Sequence, residues 1–79
     1  MRLAADEGEL RQKLVRFLKA EMKRADVTYA ELAERLKDHG LQETESSIAN
    51  KLVRGAFAAT FFMAVLAALE REGVRLEEL

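Results

Sequence analysis

Five polar residues at helical spacing carry the chemistry of this chain. Ser46, Ser47, Asn50, Lys51 and Arg54 fall on the solvent side of a segment running from about residue 45 to 54, and none of them is acidic. Residues three and four apart are neighbours on a helix surface, so the set forms one patch. Asn can pair bidentately with adenine and Arg or Lys with guanine, while Ser can contact either base type or phosphate. The chemistry indicated is recognition of double-stranded DNA in the major groove. Any surface helix shows polar residues, so the surrounding elements must decide. Catalysis has little to work with. His39 is the one histidine and there is no cysteine to complete a metal or nucleophile site. The carboxylates fall at helix starts and on solvent faces, and no glycine-rich phosphate loop is present. The expectation is a protein that is not an enzyme, with no cofactor, no metal and no small-molecule substrate.

The elements that would position this patch are written around it. Thr28 followed by Glu31 is a capping-box pattern, in which the threonine oxygen accepts from a free first-turn N–H and the glutamate returns to the cap's own N–H. Tyr29, Leu32, Ala33 and Leu36 then form an apolar face, and Gly40 supplies a left-handed stop. Thr44 is a second cap. Ile48, Ala49, Leu52 and Val53 make a second apolar stripe, which Gly55 ends. A helix, a connection from Lys37 to Glu43 and a second helix outline a helix-turn-helix, with a longer turn than usual.

Upstream, the apolar spacing predicts a helix over about 9–24. Leu10, Leu14, Phe17 and Leu18 face the core, with Val15 and Met22 on the flank. Lys13, Arg16, Lys19, Lys23 and Arg24 lie on its other side. That stripe is most simply a solvated face, with an anionic partner as the alternative. Downstream, a poorly capped helix is expected over about 58–71, ended by Gly73, with Val74 and Leu76 folding back. Phe61, Phe62, Val65, Leu66 and Leu69 cover a broad arc that Met63 extends. A helix apolar on so many sides belongs to a core or an interface. Phe62, Met63 and Leu66 are therefore the expected contacts of a two-fold homodimer.

The 79 residues make one small domain, near the lower limit for a self-sufficient core. Residues 9–76 should hold the fold, with a frayed start over 1–8 and an acidic tail over 77–79. The absence of proline and the long runs of Ala, Leu, Glu, Lys and Arg point to an all-α class. A net charge of −1 argues against broad, sequence-blind nucleic-acid binding but leaves room for a local basic face. The opening residues are acidic where a secretion signal is basic, and the apolar run 56–69 is too short for a bilayer, so a cytoplasmic location is expected.

Thr28-Tyr29-Ala30-Glu31-Leu32-Ala33, then Ile48 to Gly55, then an apolar helix closing with Leu66 and Leu69, resemble the lambda-repressor-like helix-turn-helix domains of bacterial transcription regulators. A closer and longer likeness is to a family of small bacterial proteins classed as a domain of unknown function. It is carried by Leu18-Lys19-Ala20-Glu21-Met22-Lys23-Arg24, Val27 to Ala33, Glu43-Thr44-Glu45, Ile48, Asn50-Lys51, Arg54-Gly55 and Phe61-Phe62. The first resemblance implies a four- to five-helix fold and a DNA-binding regulator or accessory factor. The second implies no activity. The alternative function is a protein-interaction or oligomerisation module that keeps the helix-turn-helix fold without contacting DNA.

Overall fold

Asp6 starts the chain's first helix. Its backbone is extended, and its carboxylate accepts a 2.8 Å hydrogen bond from the Glu9 N–H in the computed structural model, which describes residues 1–79. Helix α1 therefore runs Glu7–Ala25, beginning two residues before the start expected at about residue 9. Residues 6–8 thus belong to the helix start. Lys13 Nζ holds the segment before them through a 2.6 Å bond to the Leu3 carbonyl.

Three further α-helices follow: α2 (Tyr29–Lys37), α3 (Glu45–Arg54) and α4 (Ala59–Ala68). A short 3₁₀ turn, Leu76–Glu78, ends an all-α chain without strands. The capping box at Thr28 is complete, with the Glu31 N–H donating to Thr28 Oγ1 at 3.1 Å and the Thr28 N–H donating to Glu31 Oε1 at 3.2 Å. Hydrogen bonds from the Thr28 backbone and hydroxyl hold the Glu31 carboxyl below its ordinary value. Gly40 ends α2 with φ 80°, and the Leu41 N–H reaches back to the Leu36 carbonyl. Gly55 ends α3 with φ 65°.

The end of α4 departs from expectation. Glu70, not Gly73, takes the left-handed conformation at φ 60°, and the Arg71 N–H closes on the Leu66 carbonyl at 2.8 Å. The reason is what the reversed chain gains. Arg71 packs over the Phe17 ring and pairs with the buried Glu21 at 2.9 Å. It also donates to the Gly73 carbonyl and pairs with Glu78, which fastens the C-terminal segment to α1. Arg35 Nη1 caps the C-terminal end of α4 by donating to the Ala68 carbonyl at 3.0 Å.

Leu18, Leu32, Leu36, Ile48 and Val65 are the largest fully buried side chains, so each α-helix contributes to one core. The C-terminal half of α1 supplies Phe17, Leu18 and Met22. Leu10, Leu14 and Val15 are only half-buried. Phe61 is buried and meets the half-buried Phe57 edge to face at 5.0 Å. Val53, expected in the apolar stripe of α3, is 84 % exposed. It lies about a third of a turn from the Ile48–Leu52 axis, on the solvent side of the helix. No helix is long and apolar enough to cross a membrane.

Candidate functional site

Helix α3 owes its position to two features at its ends. At the start, the Ser47 N–H donates to Thr44 Oγ1 at 3.0 Å and the Thr44 N–H donates to Ser47 Oγ at 2.8 Å. At the finish, Gly55 brings the chain against α1. A Cβ there would lie 3.0 Å from Arg11 Cβ and 3.3 Å from the Arg11 carbonyl oxygen, so a glycine is what fits. Ile48 and Leu52 anchor the helix from beneath, both fully or nearly fully buried.

The five polar residues on α3 fall into two groups. Ser47 and Lys51 are occupied within the protein. The Ser47 hydroxyl donates to Glu43 Oε1 at 2.6 Å, and Lys51 Nζ bonds both Glu43 oxygens at 2.8 and 2.7 Å. Lys51 also stands 5.2 Å from the centroid of the Phe61 ring. Burial pushes the Glu43 carboxyl up, but the hydrogen bonds from Lys51 and Ser47 and the nearby Lys51 charge outweigh it, leaving the carboxyl below its ordinary value. Ser46, Asn50 and Arg54 form the other group. They are exposed at intervals of four residues and define one edge-to-edge row along α3.

Two features of this surface lie outside what a single-helix projection reveals. Val53 adds an apolar side chain to the exposed row. Arg16 and Lys19 of α1 line, together with Val53 and Arg54, a groove between α1 and the C-terminal end of α3. The basic stripe on α1 was legible in the sequence, but its placement beside Arg54 depends on the close contact at Gly55.

The residues expected to join two copies are divided differently. Leu66 belongs to the core and Phe62 is half-buried against it, whereas Met63 is 66 % exposed. Ala59 and Ala67 are the exposed residues beside Met63 on that side of α4. The apolar surface left outside the fold is thus narrower than the composition of α4 suggests. His39 is exposed in the α2–α3 connection, and no group of three His, Cys, Asp or Glu side chains is placed to hold a metal ion.

The chain belongs to the family described as Domain of unknown function (DUF6471), which matches residues 10–74. No curated protein and no solved structure matches it.

Proposed function

We propose that this member of the family is a small DNA-binding protein of the lambda-repressor-like helix-turn-helix type, acting as a regulator or accessory factor. In this reading α2 and α3 are the two helices of the motif, and α3 enters the major groove. The observation that carries it is the row Ser46, Asn50 and Arg54, exposed and free of acidic residues on a helix anchored by Ile48 and Leu52. The row spans about 12 Å of helix, the axial length of three to four base pairs at roughly 3.4 Å each. Asn50 at its centre suits an adenine edge, and Arg54 suits a guanine or a phosphate. Val53 offers an apolar contact to a thymine methyl group.

The Glu43–Lys51 pair fits the same reading in a supporting role. Two carboxylates stand near the start of this helix and would repel phosphate. Lys51 compensates Glu43 at close range, whereas Glu45 is exposed in the first turn and belongs to no ion pair. Lys51 and Ser47 are then positioning residues, while Ser46, Asn50 and Arg54 make the contacts.

Selection of binding sites from random duplexes at two salt concentrations tests the proposal. A recurrent short site is expected, and Asn50→Ala should weaken binding to it by about 1–3 kcal/mol while relaxing preference at one base position. No enrichment at either salt concentration would favour the interaction-module reading.

A further inference from the structure

Arg16, Lys19 and Arg54 belong to none of the ion pairs in the protein, which instead occupy Arg11, Arg24, Lys37, Lys51, Arg71 and Arg75. Arg2, Lys13, Lys23 and Arg35 also lie outside ion pairs, but Arg16, Lys19 and Arg54 are the ones that line one groove between α1 and the end of α3. No carboxylate lines it, although the chain as a whole carries more acidic than basic residues. Arg11 at the same groove is held by Glu7 at 2.7 Å, an exposed pair that a stronger anion can compete with at little cost. Gln12 adds a neutral donor.

Charge separation along the sequence produces this groove. Between Leu10 and Ala20 there are four cations and no acid, whereas acids are concentrated at the start of α1, on α2 and in the C-terminal segment. The α1 groove residues from Arg11 to Lys19 cover about 12 Å of helix. A row of cations on that scale matches a chain of anions better than a single small anion. The groove has no aromatic side chain, so it lacks the stacking surface that single-stranded nucleic-acid sites use. Val53 and Arg54 belong both to the groove and to the exposed face of α3, so whatever fills one borders the other.

From this arrangement we infer that the α1–α3 groove is a phosphate-backbone site. It grips one strand of a duplex beside the major groove that α3 reads. Arg16 and Lys19 supply sequence-independent contacts, and Arg54 joins them to the base-reading row. This rests on the DNA-binding reading and adds a second, separable surface to it. Backbone contacts fix the register of a protein on the duplex, while base contacts specify sequence. Two helices meeting at Gly55 would thus divide those tasks. The net charge of −1 is compatible with this division, because the attraction comes from a local cluster and not from the whole molecule.

The test is a salt titration of binding to the selected duplex by the parent, Arg16→Gln/Lys19→Gln, Asn50→Ala and a control, Lys37→Gln/Arg75→Gln. The control removes two exposed charges outside the groove. Losing Arg16 and Lys19 should weaken binding to selected and unrelated duplexes alike, by roughly tenfold or more near 0.1 M salt, and lower the salt slope by about 0.9 per lost contact. Preference between the two duplexes should stay unchanged. Asn50→Ala should do the reverse, reducing preference and leaving the slope intact. Circular-dichroism melts of all variants establish that each is folded. An unchanged slope for the Arg16/Lys19 variant in a parent that binds its site overturns the groove alone. An equal fall in the control overturns it too, because bulk charge then explains the effect. A parent that binds no duplex removes the DNA-binding reading and this inference with it.

Discussion

Lys51 and Arg54 lie three residues apart on one helix, yet they meet different surroundings. Glu43 takes up Lys51 with both carboxylate oxygens, whereas Arg54 faces solvent without a carboxylate partner. Glu43→Gln therefore has two opposed consequences. It should lower stability, because the carboxylate's favourable contacts with Lys51 and Ser47 exist only in the folded state. The folded carboxyl titrates below its ordinary value of 4.5, so its stabilisation is fully present above that value. That contribution is lost as pH falls through the depressed folded value. Thermal melts should show the parent ahead of Glu43→Gln near neutral pH and the gap closing in acid. The same substitution removes a negative charge beside the proposed DNA face and releases Lys51, so duplex affinity should rise. Affinity unchanged or reduced in a folded Glu43→Gln protein would mean that the pair contributes to binding in another way.

Helix ends show what the sequence made legible and what it did not. Thr28, Thr44, Gly40 and Gly55 each announce a boundary through local chemistry, and the caps and turns form there. The end of α4 was not legible at Gly73, because the deciding interactions are distant. Glu70 adopts a left-handed backbone while Arg71 pairs with Glu21, fifty residues earlier on α1. The candidate site divides in the same manner. A helical projection puts Ser46, Ser47, Asn50, Lys51 and Arg54 in one patch, but it cannot see that Glu43, across the α3 cap, occupies Ser47 and Lys51. Nor can it show that Val53 stays exposed. Gly55 joins the two levels, since its place at the end of α3 is expected from sequence and its contact with α1 is not. Gly55→Val should cost about 1–3 kcal/mol in backbone strain, and its side chain would also push Arg11 and Val15 aside. Chemical denaturation measures the loss. A stability equal to the parent's would mean that α1 can move away from α3 freely.

At the scale of the molecule, one copy measures 35 × 24 × 20 Å, enough to place one helix in one major groove with flanking backbone contacts. The proposal therefore works for a single copy. A symmetric dimer is a separate proposal. Leu66 and much of Phe62 are already used by the core, so it would form around Met63, Ala59 and Ala67. Sedimentation at micromolar concentration should show a parent dimer that Met63→Glu splits, and a parent that stays monomeric removes the dimer. The central claim is that α3 reads DNA through its exposed row with α1 beside it on the backbone. The most direct measurement is an NMR titration of isotope-labelled protein with the selected duplex. Shift changes should concentrate at Ser46, Asn50, Val53 and Arg54 and at Arg16 and Lys19, with little change around Met63. Binding that shifts the Met63 side of α4 while leaving the α3 row unperturbed would contradict the account.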